Sequence, residues 1–123
     1  MTLVDTNILL RYVLKDNETL YLSAKEILTI EKELFVSNEV IAEVIYVLTK
    51  TYNVSKLNAS EIFIGLLNEN VFQLTSKDIM LRALELFSSK NLDFVDCILC
   101  ATNKINRTKV ETFDKSLKKC IDE

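Results

Sequence analysis

Histidine and proline are absent from this 123-residue chain, and glycine occurs once. Without histidine there is no Ser-His-Asp or Cys-His nucleophilic chemistry, and nothing to favour zinc or copper over a hard cation. The lack of proline and near-lack of glycine remove the usual punctuation, so element boundaries rest on Asn, Asp, Ser and Thr at helix starts and on changes of hydrophobic period. No apolar run approaches the roughly 18 residues of a membrane span; Ile8-Leu9-Leu10 and Ile62-Phe63-Ile64 are quickly broken by polar residues. Met1 leads into Thr2-Leu3-Val4 with no basic region, apolar stretch or cleavage site, which predicts a cytoplasmic protein with no membrane partner. Cysteine is scarce and odd in number. Cys97, Cys100 and Cys120 form no disulfide framework, and Cys97-Ile98-Leu99-Cys100 lies within an apolar helical run, so these residues read as small buried hydrophobes rather than a redox pair.

What is present is nearly half apolar and about a quarter charged, the balance of a soluble globular chain. The length suits one domain over residues 1–123 that buries roughly two-thirds of its unfolded surface. The net charge of −3 argues against broad attraction to nucleic acid, although a cation held among acids inverts the field locally.

Hydrophobic period predicts a buried strand over Thr2–Asp5, a helix over Ile8–Lys15, another over Thr19–Lys32, and a strand over Leu34–Val36. Ser37 and Asn38 are candidate N-caps of a helix reaching about Tyr52, and Asn58 or Ser60 starts the next, in which Gly65 is either a local weakness or a close-packing point. A strand over Val71–Leu74, a helix capped by Ser76, a helix over Asp93–Asn106, a strand over Lys109–Phe113 and a polar helix over Lys115–Glu123 follow. Short strands separated by helices make βαβ units, so the expected fold is a three-layer α/β/α domain with a parallel sheet of four or five strands.

Three predicted strand-to-helix junctions carry acids: Val4-Asp5-Thr6-Asn7, Leu92-Asp93-Phe94-Val95-Asp96 and Thr112-Phe113-Asp114. Glu43 sits on the intervening apolar helix. Each has an ordinary explanation. Asp5, Asp93 and Asp114 can cap helices, Asp96 suits a first helical turn, and Glu43 can be a solvated helical acid. Yet the carboxyl ends of parallel strands share one edge, and carboxylates gathered there repel unless a cation pairs with them. Hard oxygen donors suit Mg²⁺ or Mn²⁺, whose hydration water can attack a phosphodiester.

The same residues resemble the PIN-domain nucleases, in particular the compact VapC-like toxins of toxin-antitoxin pairs. The likeness runs in order through Asp5-Thr6-Asn7, Glu43, Asp96 at the head of an apolar helix, and Thr112-Phe113-Asp114, and it spans essentially the whole chain. It implies a metal-dependent endoribonuclease in which Asp5, Glu43, Asp96 and Asp114 hold Mg²⁺ or Mn²⁺, with Thr6, Asn7, Thr112 and Asp93 in auxiliary roles. It also implies an RNA substrate, a homodimer and silencing by a cognate antitoxin. Two departures are the cysteines at 97 and 100, where small residues such as Ala are usual, and a short stretch after Asp114 that is expected to leave the last strand or helix truncated.

Arg11, six residues beyond Asp5, can meet a phosphate or an antitoxin acid, or simply form a surface salt bridge. A haloacid-dehalogenase reading needs a second Asp where Asn7 stands, and a receiver domain needs an early acidic pair and a late Lys that are not evident. The main alternative is a degenerate, non-catalytic PIN-like scaffold that binds a protein partner or RNA.

Overall fold

A computed structural model describes residues 1–123. The chain runs β1 (Thr2–Leu3), α1 (Thr6–Leu14), α2 (Glu18–Ile30), β2 (Leu34–Phe35), α3 (Asn38–Lys50), α4 (Lys56–Asn68), α5 (Lys77–Ser89), α6 (Phe94–Asn106) and α7 (Lys115–Asp122). Six of the seven helices begin with a side-chain oxygen that accepts a backbone N–H three residues on: Asp5, Asn17, Ser37, Ser55, Ser76 and Asp114. Each such cap contributes about 1 kcal/mol. The cap of α4 is Ser55, not Asn58 or Ser60, and Ser60 is buried on that helix.

The parallel sheet is smaller than the sequence suggests. Thr2 and Leu3 pair with Leu34 and Phe35, and the expected third strand contributes a single bridge from Phe35 to Gln73. That bridge is held by Val36 N–H to Gln73 O at 2.9 Å and Gln73 N–H to Leu34 O at 2.7 Å. Residues 109–113 form no strand, although Val110 and Thr112 are half-buried while Lys109, Glu111 and Phe113 are exposed. The period of two expected of a strand is there, but no neighbouring backbone pairs with it. The four or five strands expected are therefore two, and the domain is a mainly helical α/β fold.

One continuous core lies between the sheet and the helices. Its fully buried members include Leu9, Ile41, Ile45, Phe63, Leu84 and Leu117. α3 packs against α1, α4 and α6, while α5 packs against both α4 and α6. With glycine almost absent, the left-handed positions that terminate helices and turns fall to Lys15, Asn53, Asn70 and Arg107, all with φ between 55° and 61°. The single Gly65 has a helical backbone and open space around the position of a Cβ, so it is not a close-packing point.

The cysteines divide. Cys97 is a buried free thiol, as expected. Cys100 on α6 and Cys120 on α7, with Cα atoms 6.3 Å apart, are joined by a disulfide, which corrects the reading of all three as plain buried hydrophobes. Closing a 20-residue separation stabilises the fold by about 3 kcal/mol in the chain-entropy description.

Candidate functional site

α6 begins at the turn Lys90–Asp93, and this turn is held from a distance. Lys56, at the first position of α4, donates Nζ hydrogen bonds to the carbonyls of Lys90 (2.9 Å) and Leu92 (3.0 Å). Its ammonium also lies 4.5 Å from the centroid of the Phe87 ring, which meets Phe94 edge-on at 5.3 Å. Asp93 follows directly, in N-cap position, but its side chain makes no capping bond. A carboxylate that does not satisfy its own helix is free for another partner.

Asp93, Asp96 and Asp114 line one cavity of about 650 Å³. Asp96 is half-buried in the first turn of α6, and its carboxyl is raised above the usual range, first by burial and then by the charges of Asp114 and Asp93. Asp114 comes from α7, oriented by its Oδ1, which accepts the Leu117 N–H at 2.8 Å, and by its own N–H, which donates to Thr112 Oγ1 at 3.0 Å. The far wall is α3, which presents Tyr46, Thr49 and Lys50.

The other two acids of the sequence pattern stand apart from this lining. Asp5 is exposed and caps α1, its Oδ1 3.0 Å from the Ile8 N. Glu43 is exposed on α3, adjacent in sequence to Ala42, which does line the cavity. Thr6 is half-buried at the start of α1 and Asn7 is exposed beside it. No three carboxylate or thiol groups approach closely enough to chelate one ion. The donor chemistry nevertheless suits a hard divalent cation. Mg²⁺ takes only one or two carboxylates with water filling its shell, and the mutual charge of Asp96, Asp93 and Asp114 is what such an ion relieves.

Arg11 forms its salt bridge with Asp16 at 2.8 Å, which is the ordinary alternative for that residue. The Cys97 thiol is pushed up to about 12, mainly by burial, with Asp96 and Asp93 raising it further against the opposing charge of Lys56. It is protonated and unreactive at neutral pH.

Sequence reasoning missed Lys56 and Tyr46. Lys56 carries a detectable signal, since a cation in the first turn of a helix opposes the macrodipole and calls for some other explanation. Tyr46 carries none beyond its place one turn before Lys50 on α3.

The sequence profile of the PIN domain matches residues 2–121. A curated relative, the VapC ribonuclease of Aquifex aeolicus (strain VF5), is 28% identical over an alignment that covers 97% of this chain and 91% of that protein. No solved structure matches the chain significantly. No helix is long and apolar enough to cross a membrane.

Proposed function

The chain belongs to the PIN-domain family, and from that premise we propose that it is a metal-dependent endoribonuclease, the toxin of a toxin-antitoxin pair. The observation that carries this reading is the cavity where Asp93, Asp96 and Asp114 meet, with Asp93 released from helix capping. The likeness to a VapC ribonuclease supports RNA as the substrate. Asp96 and Asp114 would hold Mg²⁺ or Mn²⁺ with Asp93 beside them, and Asp5 at the start of α1 and Glu43 on α3, helices that pack on one another, would complete the carboxylate set from outside that lining. When bound, the ion supplies Lewis acidity toward the phosphoryl group and acidifies water.

The carboxylates orient a water molecule for in-line attack on phosphorus and take up its proton. Thr112 fixes the start of α7, and so the aim of Asp114, through its hydrogen bond to the Asp114 N–H. In this scheme the ribose 2′-hydroxyl takes no part, so the products are 5′-phosphate and 3′-hydroxyl ends. A cyclising ribonuclease commonly uses a histidine acid-base pair, and this chain has no histidine.

The reading extends to a homodimer in the cytoplasm, silenced by a cognate antitoxin protein. Exposed apolar residues such as Leu22 and Ile30 on α2 are available to a two-fold contact. The test is cleavage of a structured RNA with Mn²⁺ or with EDTA, for wild type and Asp5→Asn, with analysis of the ends. Activity confined to Mn²⁺ and abolished by Asp5→Asn is expected; cyclic phosphate ends or full activity in EDTA would refute it.

A second reading, a non-catalytic PIN-like scaffold, draws on one observation: no three acids stand within chelating distance. Calorimetry with Mn²⁺ separates the two, because the scaffold has no reason to bind the ion.

A further inference from the structure

The acidic total of the chain conceals a strong local asymmetry. Residues 104–119 hold six of the fifteen cations and only two of the eighteen acids, a net +4 in a chain whose sum is −3. The six are Lys104, Arg107, Lys109, Lys115, Lys118 and Lys119, and all but half-buried Lys104 are exposed. Only Lys109 is engaged in an ion pair, with Glu111. On α7 the spacing of 115, 118 and 119 puts three lysines on one face, while Leu117 and Cys120 point into the core. Lys104 at the end of α6 approaches the same ground: the carboxyl of Glu123 is held below its usual range by its hydrogen bond from Lys90 and then by the charges of Lys90, Lys119 and Lys104.

Two further features distinguish this surface from a merely solubilising one. Phe113 is fully exposed in its midst, an arrangement that costs hydration with no packing in return. Asp114 and Ser116, immediately beyond Phe113, line the carboxylate cavity, so the basic surface reaches the rim of the proposed catalytic site.

Resting on the ribonuclease reading, we propose that residues 104–119 form the RNA-docking surface, with the cations tracking phosphates of a single strand and Phe113 stacking on an unpaired base next to the cavity. Charge complementarity names a polyanion as the occupant. Phe113 at the rim, with Tyr46 also exposed on the α3 wall of the cavity, selects a nucleic acid strand over an acidic protein, since every base offers a face to stack. The whole-chain charge is then no obstacle, because the strand meets a local field of the right sign.

The experiment measures binding of a fluorescent single-stranded oligoribonucleotide of about 20 nucleotides, in EDTA to prevent cleavage, as a function of salt. For Lys118→Gln/Lys119→Gln the slope of log K against log salt should fall by about 1.4, roughly 0.7 for each phosphate of the single strand that is no longer neutralised, and affinity at 0.1 M salt should drop on the order of tenfold. Phe113→Ala should weaken binding roughly tenfold with an unchanged slope and a smaller preference for the single strand over a duplex of equal length. The control pair Lys25→Gln/Lys32→Gln, exposed on and just after α2, should alter neither quantity. Arg107→Gln/Lys109→Gln, which lies outside any helix, repeats the measurement should the α7 pair melt early by circular dichroism. An unchanged slope in both cation pairs, or an equal loss in the control, overturns the proposal. So does a cation variant that loses binding to polyglutamate while its RNA binding stays intact, which would assign the surface to an acidic protein. RNA that binds here but is never cut with Mn²⁺ present refutes the ribonuclease reading and leaves the docking surface standing; RNA that is cut equally well by the cation variants does the reverse.

Discussion

α1 and α6 both start at an aspartate with extended backbone, and they are held in opposite ways. Asp5 satisfies its own helix, accepting the Ile8 N–H. The Asp93 side chain satisfies nothing in α6, where only its backbone carbonyl accepts, from the Cys97 N–H, and the turn before it is pinned by Lys56 from α4, which bonds the Lys90 and Leu92 carbonyls. One start is stabilised locally and the other by tertiary contact, and the second arrangement leaves a carboxylate facing the same cavity as Asp96 and Asp114. A residue type that suits a cap is thus no evidence that it serves as one.

The contrast between the two helix starts can be broken hardest at Lys56. In Lys56→Met the stem is kept, but two carbonyls lose a charged donor and Phe87 loses its cation, so urea unfolding should show a loss of about 2–3 kcal/mol, with Lys56→Arg recovering part of it. A loss under about 0.5 kcal/mol would mean that the turn stands without the lysine. Next in size, Asp5→Ala should cost about 1 kcal/mol as a lost cap, whereas Asp93→Ala should leave the stability within about 0.5 kcal/mol of wild type. Equal costs would erase the distinction between the two helix starts.

A pH series sharpens the same contrast. The folded-state carboxyl of Asp96 is raised, by burial and then by Asp114 and Asp93, so the native state holds its proton more tightly than the unfolded chain. Its contribution to stability is greatest when protonated and falls as pH rises from the ordinary carboxylate range through the raised value. In EDTA, Asp96→Asn should therefore gain stability relative to wild type above that window and lose the advantage below it, as read by thermal melts across the acidic range up to neutrality.

These two helix starts also explain what the sequence could disclose. The helices and most caps are local, and Asp5, Ser37, Ser76 and Asp114 are recognisable from a polar residue ahead of an apolar period. The strands at 71–74 and 109–113 have suitable sequences, but a strand exists only where a neighbouring backbone pairs with it, and that partner is absent for 109–113 and reduced to Gln73 for the other. The Cys100–Cys120 bond and the Lys56 clamp join residues 20 and 34 positions apart, beyond the reach of any periodicity. At the site, the order of the acids was legible as a family pattern, while the convergence of Asp93 with Asp96 and Asp114 depended on how α7 returns to α6.

If the carboxylate released from capping serves, with its neighbours, to hold a divalent cation, the ion itself must bind. Titration calorimetry with Mn²⁺, paired with thermal melts at millimolar metal, tests this on wild type and Asp96→Asn. Heat of binding and a raised melting temperature are expected for the wild type, because the ion binds the native cluster and not the unfolded chain, with both lost in Asp96→Asn. No heat and no shift in the wild type, or a shift that Asp96→Asn retains in full, would contradict it.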